Sequence, residues 1–237
     1  MSDTDQSYDP PAADDSARYA EAKNWAFILT ALGVGILIWV AFGPKAQLAA
    51  VWTAMAFPIA ALLVAERYAG IMKFTTSKRD PQPSIGTALM FSAMGLFFKA
   101  IQGWNVVEWQ SFWEPFAIAF LTIGAASFAI SSELRRSASA MFMCCLICGF
   151  YGYGAVIDVN GMLATAPATT CQAQIEDMYV THGKSTHYYF VLSAWGPRDD
   201  RNKVAVSSYQ YGEHHIGDTV TIQVRMGYLG IPNFWVR

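Results

Sequence analysis

Twenty consecutive residues, Ala138 to Ile157, carry no charge. At ~1.5 Å per residue a helix of that length spans roughly 30 Å, the thickness of a bilayer's hydrocarbon core. Glu133-Leu134-Arg135-Arg136 stands just before the run, and Asp158-Val159-Asn160-Gly161 follows it. The chain on the N-terminal side reads as further apolar helices, and the chain on the C-terminal side as a small β domain in water. The run is therefore the joint between two solvents.

Composition supports a membrane class. Hydrophobic residues make up 54% of the 237 and charged residues 14%, against about a quarter charged in soluble proteins. The net charge of −2 leaves no basic stripe to neutralise phosphates, which argues against bulk nucleic-acid binding. Residues 1–23 are polar and mostly acidic. Rich in Asp, Ser and Pro, they bury too little apolar surface to order themselves and read as a disordered cytoplasmic tail. No basic n-region precedes the first apolar run and no small-residue cleavage site follows it, so a cleaved signal peptide is not expected.

Residues 24–157 read as five transmembrane helices, at about 25–42, 48–65, 85–101, 113–130 and 138–157. Gly43-Pro44 stops the first and Glu66-Arg67 ends the second. Their short connector makes them a helical hairpin. Pro58 should bend the second, because proline removes one backbone hydrogen bond and crowds the preceding turn. Small residues (Gly33, Gly35, Ala54, Ala61, Ser92, Gly95, Gly124 and Ala125) offer close backbone approach within the bundle or to another subunit. With the N-terminus in the cytoplasm, the inner segments hold Arg18, Lys23, Arg67, Lys73, Lys78, Arg79, Arg135 and Arg136, and the outer ones only Lys45 and Lys99. That bias sets the orientation. Trp39, Trp52, Trp104, Trp109 and Trp113 fall at the outer helix ends, where indole prefers the interface. The expected topology is N-terminus in, C-terminal domain out.

Residues 164–237 change period and read as an extracytoplasmic domain, a small antiparallel β barrel or curled sheet. Expected strands are Thr170–Val180, His187–Trp195, Lys203–Ser208 and Thr219–Met226, with a short fifth at Asn233–Val236. Val220, Ile222 and Val224 alternate with polar partners, the pattern of a half-buried strand. Six basic and six acidic side chains balance in this segment.

Candidate chemistry is sparse. Lys99 is the one ionisable residue well inside an apolar block, where a charge points to a transport role unless its stem snorkels to the nearby interface. His182, His187, His214 and His215 all lie in the outer domain. The first two flank a hairpin turn, from which both could approach a third imidazole and hold Zn²⁺ or Cu²⁺. The alternative is that they are surface residues. Cys171 has no cysteine partner in its domain, so it forms either an intermolecular bridge or a buried free thiol. Cys144, Cys145 and Cys148 lie within the last span and read as small apolar packing residues. No nucleophile elbow, phosphate-binding glycine loop or zinc-protease helix is found. Glu176 and Asp177, adjacent on a strand, should face opposite ways. No enzyme activity and no cofactor are implied.

Ile216-Gly217-Asp218-Thr219-Val220-Thr221-Ile222, followed by Gly227-Tyr228-Leu229-Gly230-Ile231-Pro232, resembles the ending of the small extracytoplasmic β domain of certain uncharacterised bacterial inner-membrane proteins. The resemblance covers roughly Thr170 to Arg237. It implies a bacterial envelope location and no particular activity. Nothing comparable covers the helical region, so no functional residue carries over.

Three functional readings follow. The first is an inner-membrane protein, embedded in the lipid bilayer, whose periplasmic β module contacts a protein partner or a second copy as an accessory or scaffolding subunit of an envelope complex. The second is a small-solute or ion transporter centred on Lys99 and Pro58. The third is a periplasmic metal sensor or delivery protein using the histidines.

Overall fold

The computed structural model describes residues 13–43, 47–75, 82–183 and 185–237. Five long helices come first: α1 (Ala13–Phe42), α2 (Gln47–Arg67), α3 (Gly86–Gly103), α4 (Trp113–Ile130) and α5 (Ala138–Met162). Among the described residues α1, α2, α4 and α5 are long and apolar enough to cross a bilayer. α3 has 18 residues and carries Lys99 and Gln102 near its end, which dilute its apolar character. Six strands follow the same chain order: β1 (Asn105–Val106), β2 (Thr169–His182), β3 (Thr186–Leu192), β4 (Asn202–Val206), β5 (Thr219–Met226) and β6 (Pro232–Val236). A short helix, α6 (Ser208–Glu213), lies between β4 and β5.

Two helix limits differ from expectation. α1 begins at Ala13, inside the segment expected to be disordered; residues 1–12 of that segment lie outside the described residues. Ala17-Arg18 and Ala20-Glu21-Ala22-Lys23 are good helix formers, and they extend an existing helix without a new nucleus. α5 continues past Ile157 to Met162 because Asp158 and Asn160 are fully buried and not at a water boundary. α2 runs through Pro58 as one helix.

The chain forms two compact units. One holds the described residues up to Lys99 together with Ala117–Ala155, and the other holds Ala100–Phe116 with Val156–Arg237. These compact units divide the chain differently from the expected organisation of helices over 24–157 and a β domain over 164–237. The last turns of α3 and α5, the start of α4 and the connector between α3 and α4 belong with the sheet.

In the helical unit α3 is the central element. Its Ala88, Leu89, Ala93 and Leu96 have no exposed surface. Glycines bring its neighbours in to backbone distance. A Cβ on Gly33 of α1 would lie 2.6 Å from the Ala88 carbonyl oxygen, and one on Gly154 of α5 would lie 2.5 Å from the Leu96 carbonyl carbon. Gly35, by contrast, faces open space. Polar ties mark both ends of α3. Before it, the Phe74 amide and the Thr75 hydroxyl donate to the Glu133 carboxylate, the latter at 2.6 Å, in the connection between α4 and α5. At its far end Lys99 Nζ donates to Gln47 Oε1 at the first residue of α2, 2.9 Å away. α3 therefore runs the length of this unit, antiparallel to α2.

In the other unit the sheet order is β1-β6-β5-β2-β3-β4, antiparallel throughout. The first half of β2, Thr169–Gln174, pairs with β5, and the second half, from Ile175, pairs with β3. Between them Glu176 forms a bulge that bends the strand and curls the sheet into a half-barrel. The bulge also breaks the alternation, so Glu176 and Asp177 are both exposed, contrary to the expectation of opposite faces. Inside the curl pack Ala173, Ile175, Phe190, Leu192, Trp195, Val204, Val220, Ile222 and Phe234, joined by Val107 from the α3–α4 connector. The strand expected at Lys203–Ser208 ends at Val206, since Ser207 and Gln210 form a capping box that starts α6.

The glycine packing predicts an asymmetry. Gly154→Leu should destabilise the helical unit by about 1–3 kcal/mol through overpacking against α3. Gly35→Leu should leave stability unchanged or slightly raise it. Thermal unfolding in detergent, followed by tryptophan fluorescence, checks the pair.

Candidate functional site

The residues with chemistry in the sequence do not converge. Lys99 is half-buried near the end of α3, and its ammonium is held by Gln47 at the opening of α2. In the β2–β3 hairpin His182 sits opposite Thr186 and His187 opposite Thr181. The two imidazoles therefore leave opposite faces of the ribbon, and the expected approach of both to a third histidine does not occur. His187 Nε2 lies 2.7 Å from Ser185 Oγ. His214 and His215 gather around Asp218. The His215 amide donates to Asp218 Oδ2 at 2.7 Å, and both Nδ1 atoms lie 3.9 Å from that oxygen. This arrangement pins the turn at Gly217, whose φ is +97°. The His214 ring meets the edge of Phe190 at 5.9 Å. Among the described residues no group of three or more His, Cys, Asp or Glu side chains is placed to hold a metal.

Cys171 is a free, half-buried thiol packed against the sheet core beside Gly196. A Cβ on Gly196 would fall 2.7 Å from its sulfur, and Gly196 has φ +45°, so the tight turn and the thiol occupy one another's space. Of the span cysteines, Cys144 and Cys148 are buried with sulfurs 3.9 Å apart, and Cys145 is exposed.

The structure instead concentrates specific polar geometry where the sheet meets helix ends. β1, contributed by the connector between α3 and α4, pairs with β6 through Asn105–Phe234 and Val106–Asn233. The Val107 amide donates to the Pro232 carbonyl at 2.9 Å, and Arg198 Nη2 donates to the Val107 carbonyl at 2.6 Å. Asn160, in the last turn of α5, is fully buried against the β5–β6 turn. Its Nδ2 donates to the Ile231 carbonyl at 2.9 Å, while its Oδ1 accepts from the amides of Leu229 and Ile231 at 3.0 and 3.3 Å. Its own carbonyl accepts from the Tyr228 amide at 2.9 Å. A Cβ on Gly227 would collide with the Asn160 amide, and one on Gly161 would collide with the Trp104 ring.

This arrangement leaves one sheet margin open. Among the described residues β4 pairs only with β3 and so forms an edge of the sheet. Beside that edge Lys203 lies 4.4 Å from the ring centre of Tyr179 and 3.9 Å from that of Tyr189, and those two rings stack on each other. Arg201 pairs with Glu176 of the bulge.

Asn160, Val107 and Arg198 were not among the sequence candidates. A signal for the first was present, since an asparagine directly after an uncharged run must find partners if its helix continues. The other two gave none, because β1 has only two residues and its partner strand lies far along the chain.

Removing the Asn160 amide takes the acceptor from the Leu229 and Ile231 amides and leaves the Ile231 carbonyl with the Gly227 amide as its remaining donor. Asn160→Ala should therefore cost about 2–4 kcal/mol, release β6, and expose the β5–β6 turn to amide exchange before the rest of the sheet. Hydrogen exchange read by mass spectrometry over residues 226–237 checks this. The chain matches none of the protein-family models, the curated proteins or the solved structures with which it was compared.

Proposed function

We propose that this chain is an integral protein of the bacterial inner membrane, with five spanning helices, a cytoplasmic N-terminus and a periplasmic β module. In this reading it acts as an accessory or scaffolding subunit of an envelope complex, and the β module is the surface that a protein partner or a second copy engages. The observation that carries the reading is the construction of the β unit. Its sheet takes a strand from the α3–α4 connector and is pinned by Asn160 of α5, while the β4 margin stays open. Such a unit is fastened to the chain at several places and offers one edge to a visitor.

The fifth span is α3. At ~1.5 Å per residue its 18 residues measure about 27 Å. The chain before it is tied to Glu133 of the α4–α5 connection and its far end to Gln47 at the start of α2, and its Ala88, Leu89, Ala93 and Leu96 are buried between partly exposed Met90, Phe91 and Met94, as in a spanning helix packed largely against protein. Five crossings place the termini on opposite sides, in agreement with the basic residues at the inner connections and the tryptophans at the outer ends. The polar end of α3 reaches Gln47 and not a buried carboxylate, which favours an anchoring role for Lys99 over ion transport.

Two measurements test the proposal. With Cys144, Cys145, Cys148 and Cys171 replaced, a membrane-impermeant maleimide on intact cells should label Thr186→Cys and spare Ser132→Cys. The reverse pattern overturns the topology. Affinity purification of the full chain in mild detergent should recover a stoichiometric partner or a self-associated form, and recovery of monomer alone overturns the scaffolding role.

A further inference from the structure

One end of the helical unit carries a groove of about 530 Å³. The chain just after α2, Ala69 to Lys73, forms one wall, and the connection from Ile130 to Arg136 forms the other. Among the described residues three cations, Lys73, Arg135 and Arg136, line it together with one carboxylate, Glu133. That carboxylate is turned toward the loop backbone, where it accepts from the Phe74 and Thr75 amides and the Thr75 hydroxyl. Among the described residues neither arginine is ion-paired. Arg135 is steadied by the Phe128 carbonyl at 2.9 Å and lies over the Phe128 ring, and the Arg136 side chain is exposed. The hydroxyls of Ser131 and Ser132 add two further donors to the same wall.

The groove thus holds an excess of cations and hydroxyl donors, with Ala65 and Ile130 from the last turns of α2 and α4 on its apolar side. Guanidinium groups recognise phosphate oxygens through paired, charge-assisted hydrogen bonds. Basic grooves at the ends of membrane helices suit anionic headgroups, and each nearby cation adds about 1 kcal/mol of attraction. A freely dissolved phosphate would use the cations and leave the apolar side idle. A phospholipid uses both.

We infer that this groove binds the phosphodiester headgroup of an anionic membrane lipid, with Arg135 and Arg136 as its main ligands and Lys73, Ser131 and Ser132 around it. The site rests on the reading of α2, α4 and α5 as bilayer helices, and extraction of native membranes with alkaline carbonate tests that reading separately. Release of the chain into the supernatant would defeat the bilayer reading itself, and the lipid site with it.

The test uses the full chain in mild detergent, offered equal amounts of phosphatidylglycerol and phosphatidylcholine and read by native mass spectrometry. The native chain should retain phosphatidylglycerol preferentially, and R135Q/R136Q should lose about tenfold of that preference. R135K/R136K, which keeps the charge and loses the paired guanidinium bonds, should show a preference between those of the native chain and R135Q/R136Q. Inorganic phosphate at millimolar concentration should neither displace the lipid nor raise the unfolding temperature. Equal retention of the two lipids, or an unchanged preference in R135Q/R136Q, overturns the site. Displacement by inorganic phosphate reassigns the groove to a soluble anion and overturns the lipid. Should the double variant fail to fold, R135Q and R136Q are measured singly, and an undiminished preference in both has the same force.

Discussion

The sheet depends on one buried primary amide. A side-chain amide carries both a donor and an acceptor, so Asn160 can pair with a stretch of backbone much as another strand would. It does so at the β5–β6 turn, donating to Ile231 and accepting from Leu229 and Ile231. The turn is tight enough to need Gly230 at φ +77° and packed closely enough on Asn160 to need Gly227 without a Cβ. Once the turn is held there, β6 has a defined place, and the short β1 can pair with it although two residues alone could not form a stable strand. Arg198 adds the remaining tie by bonding the carbonyl of Val107, which continues β1 into the core. The sheet margin at β1 is in this way covered by the chain's own connector.

The opposite margin follows from the bulge. A flat ribbon of these strands would leave Ile175, Phe190 and Ile222 only half covered. The extra residue at Glu176 turns β2 through the corner so that its two halves pair with β5 and β3 on either side of one core. α6 then lays Tyr211 against Tyr188 and Phe190, and Gln210 reaches the Val236 carbonyl. The curl stops before β4 meets another strand. Lys203 and Arg201 stand along this margin, and charges there discourage indiscriminate pairing while leaving the backbone groups accessible.

Much of this was legible in the residues, and the limits have physical causes. The uncharged runs announce their helices because length and lack of charge are sufficient criteria for a bilayer-length element. The alternation of Val220, Ile222 and Val224 identifies β5 to the residue. α6 was missed although Ser207-x-x-Gln210 is a capping box, because the valines before it bias the reading toward a longer strand. The Glu176 bulge left no local mark, since its cause is the competition of two partner strands for β2. β1 was illegible for a similar reason, as Asn105-Val106 becomes a strand only when β6 is beside it. The histidines show how register redistributes residue types. Residue type suggested a metal, and register then sent His182 and His187 to opposite faces and gave His214 and His215 to the Asp218 turn.

The fate of those side chains bears on where binding chemistry remains. In the sheet unit the polar groups are largely committed: Arg198 to Val107, Arg201 to Glu176, Lys203 to two tyrosine rings, and Asp218 to the backbone beneath two histidines. Acidic and basic residues also balance over residues 164–237, which carry no basic excess. At the end of the helical unit bearing the α4–α5 connection the opposite holds. Glu133 is occupied by loop amides, and among the described residues no other carboxylate is paired with Arg135 or Arg136 beside the ends of α2 and α4. Cations in that position meet the headgroup layer of any bilayer the helices cross, and their attraction is screened only over about a Debye length. The same connection that locks the loop before α3 therefore has charge to spare for lipid, which makes the mooring of the bundle and the recruitment of an anionic headgroup two consequences of one half-buried carboxylate.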